Sequence, residues 1–280
     1  MFLNILHFIN ERFSLKATLP LAGILWAAPL SLTHWQISDA IVGYITVFLG
    51  LLCLRASDDI FSIQVDRLTH PERGLVSGEI DAIQLQRSVW GMLVFILIIN
   101  TIWGSLPVLL GLTIYYWLFF HFKHKLPLLI RPFFSNLAFG AIAVYASYLV
   151  TNSLSYAHLI FVLFTWLSVV AHEYAHSIDE NDVDTPGLLT YSQQLGARGA
   201  ALLSLGVYLT ASLLGFIFWF IAGRLLLFLI ILILTTIHIM FLELKLIQKP
   251  TSNNAKPFYI YGFTFFLLPS LGLIILKMFR

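Results

Sequence analysis

Residues 172–176 read His-Glu-Tyr-Ala-His. Two imidazoles one helical turn apart, with a glutamate between them, are the pattern by which zinc peptidases hold a metal and activate water. Asp179, Glu180, Asp182 and Asp184 follow, and Pro186-Gly187 would then end the helix. On that helix His172, His176 and Asp179 fall at i, i+4, i+7, and Glu173, His176 and Glu180 at i, i+3, i+7. A second charged stretch covers residues 54–81. Asp58, Ser62 and Asp66 are spaced i, i+4, i+8, and Asp59 stands seven before Asp66, so one helical face carries several carboxylates. Crowded carboxylates repel one another unless a cation sits between them. Mg²⁺ suits such a place, because it takes one or two carboxylates and fills its other positions with water and substrate phosphates. Arg67 and Arg73 stand beside them with forks that match phosphate geometry. Pro71, Gly74 and Gly78 shape a turn next to those arginines. The plainer reading of this stretch is an interfacial loop whose charges anchor helix ends.

The elements that must position these groups are membrane helices. The chain of 280 residues is 59% hydrophobic and 11% charged, with a mean hydropathy of +0.88. Soluble domains carry about 25% charged residues, and about 20 apolar residues cross a bilayer. Nine such segments are expected, near 17–33, 39–55, 87–103, 106–122, 133–150, 157–175, 200–222, 225–241 and 258–277. No small-residue cleavage site follows the first, so a removable signal peptide is not expected. The single cysteine, Cys53, excludes an internal disulfide and a cysteine-based zinc site. With the N-terminus inside, thirteen of the sixteen Lys and Arg fall on the cytoplasmic side, which sets the orientation. Of the fourteen acidic residues only Asp39 falls outside. Both acidic clusters therefore belong to the cytoplasmic face, after segments two and six. Ionisable groups at such a depth are a functional-site hypothesis by default. The basic residues are spread over several loops, and neither a nucleic-acid patch nor a nucleotide-binding glycine loop is evident.

Two acidic stretches after segments two and six of nine resemble the UbiA superfamily of intramembrane prenyltransferases. The first motif of that family runs Asn-Asp-x-x-Asp-x-x-x-Asp, and Asp58, Asp59, Ser62 and Asp66 occupy its four places. Arg73 falls on the arginine, and Ser77-Gly78 on the Ser-Gly, of the stretch that follows it. A branch with acidic residues at the first two places and His-Pro-Glu-Arg afterwards is closer still. In the second motif Glu173, Thr190-Tyr191-Ser192 and Leu195-Gly196 match. The chain departs from the family at Ser62, which replaces an aspartate, and at Gly74 and Val76, which replace prolines. It departs again at His176 and Ser177, where the branch often has basic residues, and at Val183, which breaks the second motif's aspartate spacing.

The resemblance implies a single all-α membrane domain over residues 1–280, nine transmembrane helices around a central cavity open to the cytoplasm, in a plasma (inner) membrane. It implies an Mg²⁺-dependent prenyltransferase that moves an isoprenoid group from a prenyl diphosphate to an aromatic, quinone-precursor or lipid acceptor. Asp58, Asp59, Asp66, Glu173, Asp179 and Asp182 would hold the metal, and Arg73, supported by Arg67, Lys123, Arg131 and Arg198, the diphosphate. Aromatic rings, densest in the run at 115–122, would face the carbocation. Asn136, an amide inside an apolar segment, would either link helices or orient an acceptor. Two alternatives stand beside this reading, a catalytically silent transporter or scaffold and a zinc metalloprotease. The protease lacks an aspartate after residue 200 to complete its ligands, since only His238 and Glu243 are available there, and it leaves the Asp58 cluster unexplained.

Overall fold

A computed structural model describes residues 2–179 and 190–278, and every regular element among them is helical. Eight helical stretches are long and apolar enough to cross a membrane. A ninth arises if α1 (Phe2–Arg12) and α2 (Leu15–Leu30), bent by 82° at their junction, form one broken span. With every backbone polar group bonded inside its own segment, helices are the form such apolar runs must take in lipid. All nine expected segments fall on them.

The third helix, α3 (Ile37–Thr69), positions the first acidic stretch. Its 33 residues extend to about 50 Å at 1.5 Å each, against a hydrocarbon core of about 30 Å. No Gly or Pro follows Gly50 until Pro71, so the helix runs past its apolar part and carries Asp58, Asp59 and Asp66 on a rigid extension. It stops before Pro71 because the residue preceding a proline is pushed out of the helical region. His70 has φ −144 and ψ 61. A one-turn helix, α4 (Gly74–Ser77), follows and ends on Gly78 at φ 88, a left-handed cap that suits glycine. The chain then enters α5 (Ala82–Thr101), whose N-cap Asp81 accepts from the backbone N–H groups of Ile83 and Gln84.

Beyond α6 (Leu106–Phe122), two short 3₁₀ turns (Lys123–Lys125 and Leu128–Ile130) lead into the broken pair α7 (Arg131–Ser135) and α8 (Leu137–Thr151). Tyrosines of α6 hold that break: Tyr115 donates to the Phe134 carbonyl, while Tyr116 donates to Ser135 and accepts from the Ala138 N–H. Asn136 bonds within its own turn, to the Pro132 carbonyl and Ser135, instead of linking two helices. The larger core forms where α9 (Tyr156–His176) packs between α8, α11 (Ala197–Ile221) and α14 (Phe258–Met278), with α12 (Leu226–Gln248) outside the last two. A separate, smaller core ties α1 to α3 and α5 through Phe8, Phe13, Ala56 and Leu85. Short helices α10 (Tyr191–Leu195) and α13 (Ser252–Ala255) complete the described chain.

Candidate functional site

Every aspartate of the first motif is engaged by a cation of the chain. Asp59, 4% exposed, accepts from Arg12 at 2.8 and 3.3 Å and faces Arg55, one turn before it on α3, at 3.2 Å. Asp66 pairs with Arg73 at 2.5 Å. The Lys123 ammonium donates to both Asp58 (2.9 Å) and Ser62 (2.8 Å), and lies over the Phe120 ring. Glu11 accepts from the Gly74 N–H, and the missing side chain leaves room for that carboxylate, which a Cβ would meet at 2.6 Å. The sharp bend after Arg12 thus lays α1 across the motif, with Glu11 and Arg12 clamping α4 and α3 together. Low-dielectric surroundings make such buried pairs costly to break from one side.

Arg12, Arg55 and Glu11 were not among the sequence-predicted site residues. Arg55 stands four before Asp59 on a helix, a spacing the sequence does display. Nothing in the sequence ties residues 11 and 12 to a motif some 50 positions away. Arg67 and Arg198 are exposed, at the end of α3 and the start of α11.

An apolar cavity of about 390 Å³ begins beside this motif. It lies between α3, α5, α6 and α8 and is lined at the motif end by Ser57, Phe61, Phe120 and His121. Phe61 and Phe120 stack at 5.4 Å with planes 9° apart. Half of the aromatic run at 115–122, namely Tyr116, Trp117, Phe120 and His121, faces the same space. Cys53 lines it as well and is buried. At the far end stand Thr46 and Tyr145, both bonded to Asn100.

The second motif departs from its expected form. Its helix was expected to run to Pro186, but α9 ends at His176. The Ser177 hydroxyl caps it by donating to the Glu173 carbonyl at 2.6 Å. Asp179 therefore lies beyond the helix and does not continue the i, i+4, i+7 face of His172 and His176. Asp182 lies outside the described residues, as do Glu180, Asp184 and Pro186. Glu173 is half-buried and neighbours Tyr191, whose phenol is held above its usual range by burial and then by the Glu173 charge; Arg131 acts in the opposite sense. Arg131 donates to the Leu126 carbonyl at 3.3 Å, and its buried Nε has no hydrogen-bond partner. Thr190 and Gln193 cap α10 reciprocally, which places Tyr191 against Tyr174.

The two histidines do not form a zinc site. Their rings stack 4.4 Å apart with planes 18° apart, instead of converging on one point. His176 spends Nδ1 on the His172 carbonyl. His172 Nδ1 is aimed at Gly262 of α14, where a Cβ would lie 2.4 Å from it and 2.9 Å from the Tyr208 hydroxyl. The glycine lets α14 approach α9 and α11 closely enough to cover both rings. Tyr208 on α11 and Glu243 on α12 are fully buried. Ser204 donates to Glu243 Oε1 at 2.6 Å, while Glu243 Oε2 and the Tyr208 hydroxyl have no hydrogen-bond partner. Among the described residues, no three His, Cys, Asp or Glu side chains gather closely enough to hold a metal ion.

Three comparisons bear on this arrangement. The sequence profile described as the UbiA prenyltransferase family matches residues 17–268. No curated protein matches the chain. Among solved structures, the fold is similar to that of a digeranylgeranylglyceryl phosphate synthase in membranes, with a TM-score of 0.73, 18% identity, and 98% of this chain and 99% of that one covered. It is equally similar to the apo structure of a UbiA homolog from Aeropyrum pernix K1, with a TM-score of 0.74, 17% identity, and 94% and 97% covered.

Proposed function

Because this chain belongs to the UbiA prenyltransferase family, we propose that it is an intramembrane enzyme transferring an isoprenoid group from a prenyl diphosphate to an aromatic, quinone-precursor or other lipid acceptor. It works as one membrane-embedded unit, with its acidic stretches on the cytoplasmic side of a plasma (inner) membrane. The observation that carries this reading is the junction of a charged cluster with an apolar cavity of about 390 Å³: a diphosphate needs the first and its hydrocarbon tail the second. The charge-free interior supports tail binding by burial of apolar surface.

The donors of the first motif fit Mg²⁺ in kind, since all are carboxylate oxygens. Asp58, half exposed and next to the lining residue Ser57, is the most accessible of them. Asp58, Asp59 and Asp66 would hold the metal only on displacing the cations that now pair with them, and Glu173, Asp179 and Asp182 of the second stretch would have to be drawn in, since no three such side chains gather among the described residues. When bound, the metal supplies charge that stabilises the leaving diphosphate. The chain's own cations do the same work: Lys123 and Arg73 at the motif, with Arg67, Arg131 and Arg198 around it, bind and neutralise the departing phosphates. A partnerless Arg131 Nε is a donor already stripped of water. Beyond them Phe61, Phe120, Tyr116 and Trp117 wall the first part of the cavity. Their ring faces stabilise a carbocation without capturing it, and they exclude the water that would. The acceptor's proton leaves once the new carbon bond has formed.

The test incubates purified protein with prenyl diphosphates, Mg²⁺ and a membrane lipid extract, and measures diphosphate release and prenylated product. Asp59→Ala and Asp66→Ala are expected to lose both by about 100-fold or more, the scale of removing an electrostatic stabiliser. Turnover equal in wild type and both variants, or absent throughout, rejects the enzyme and leaves a silent transporter or scaffold.

A further inference from the structure

The cavity has a built floor and an empty notch part-way down. We infer that together they gauge the donor chain, admitting tails of up to four isoprenoid units, and that Gly50 keeps the last part of that length open. This inference rests on the prenyl-transfer reading and adds the size of the substrate.

The cavity is lined by α3 from Phe61 down to Thr46. From Asp58, next to the lining residue Ser57, to Thr46 is 12 residues, about 18 Å of helix. An extended chain advances about 3.3–3.6 Å for every three backbone bonds, so the four-bond isoprenoid repeat covers about 4.5 Å. Four repeats, a twenty-carbon tail, fill that depth.

The floor is rigid for a stated reason. Asn100 is fully buried and uses all of its hydrogen-bonding capacity. Its Nδ2 donates to Thr46 (2.8 Å) and the Ile96 carbonyl (2.9 Å), and its Oδ1 accepts from Ser105 (2.9 Å) and Tyr145 (2.6 Å). Trp26 backs the Tyr145 ring at 5.3 Å and is itself fixed by donating to the Ala40 carbonyl. Gly43 leaves the space that the Trp26 ring fills, since a Cβ there would overlap it at 1.8 Å. A fifth repeat would have to part this network and leave polar groups unpaired in an apolar interior, which is expensive. The hydrocarbon therefore stops where the polar groups begin.

Gly50 lies 8 residues from Asp58, about 12 Å down the same helix. It lines the cavity, and a Cβ at this position meets nothing within 4 Å. This glycine has ordinary helical φ and no neighbour that needs its smallness. What its missing side chain preserves is the width of the cavity from the third repeat onward. A side chain there projects into the cavity, because its Cβ meets no protein atom.

The experiment uses full-length protein in detergent with ten-, fifteen-, twenty- and twenty-five-carbon prenyl diphosphates. Their thiolodiphosphate analogues serve for binding, read as a shift in melting temperature. Wild type is expected to be stabilised most by the twenty-carbon analogue and little by the longest. Gly50→Leu is expected to raise the ten-carbon to twenty-carbon ratio of kcat/KM by about 10-fold or more, the discrimination that a filled apolar pocket gives, with Gly50→Ala between the two. The melting shifts should move in the same order. Asn100→Ala should admit the twenty-five-carbon chain. If that variant fails to fold, the Gly50 series decides alone. A common factor of loss at every chain length in Gly50→Leu overturns the gauge and leaves prenyl transfer standing. No stabilisation and no diphosphate release at any length in wild type removes prenyl transfer itself.

Discussion

The surroundings of α3 and of α9 treat polar groups in opposite ways. Along the first motif each aspartate has a cation: Asp58 with Lys123, Asp59 with Arg12 and Arg55, Asp66 with Arg73. Around α9 polar groups are buried without one: His172 Nδ1, the Tyr208 hydroxyl and Glu243 Oε2 are enclosed by four closely packed helices. The first region keeps its charges exchangeable, because a diphosphate or a metal can take the place of an ion-pair partner. The second holds its polar groups by shape. On the proposed function the diphosphate is met chiefly by the first kind of region, while the histidines of α9 belong to helix packing, although they carry the sequence that looks more like a metal site.

That contrast is breakable by mutation. The largest effect is expected where packing is tightest. Gly262→Leu drives its side chain into His172 and Tyr208, and should destabilise the fold by about 3 kcal/mol or prevent it, as overpacking does. Thermal denaturation in detergent reads this, and an unaltered melting temperature would mean that α14 is not held against α9 in this way. Next comes Asp59→Ala. It leaves Arg12 and Arg55 facing each other without their carboxylate and should cost about 3 kcal/mol, while the double variant that also replaces Arg12 recovers part of the loss. Additive losses in the double-mutant cycle would deny the pair.

Glu243→Met sharpens the difference between the regions. It removes a carboxyl group with one partnerless oxygen from a fully buried place, so stability should be unchanged or raised by about 1 kcal/mol. A clear loss would show that Glu243 has a partner of its own. Smaller again is Lys123→Met. Asp58 is half exposed, so the ion pair contributes about 1 kcal/mol or less to the fold. Turnover should nonetheless fall far more than stability does, as measured by kcat/KM beside the melting temperature. An equal, small change in both would make Lys123 an ordinary surface cation.

Much of this was legible in the residues. Runs of about 20 apolar residues mark the spans because lipid leaves the backbone no other partner, and all nine fell on helices. The first motif was legible too, because i, i+4, i+8 spacing puts Asp58, Ser62 and Asp66 on one face of any helix. The second was not. The spacing of His172, His176 and Asp179 assumes a helix that continues, whereas α9 stops at His176. Arg12 was hidden for another reason: its partner Asp59 is 47 positions away, and only the 82° bend between α1 and α2 brings them together.

By itself the sequence determined what local chemistry and solvent transfer dictate: membrane helices, a face of aspartates on the extension of α3, and the family whose motifs these match. Only the tertiary structure decided which charge meets which, and where the apolar space lies. Ion pairing and packing depend on distances between helices, and those follow from contacts such as Gly262 against His172, Gly43 against Trp26 and Glu11 against Gly74. The pentapeptide at 172–176 has the spacing of a zinc site, and the close approach of α14 makes it part of a helix interface.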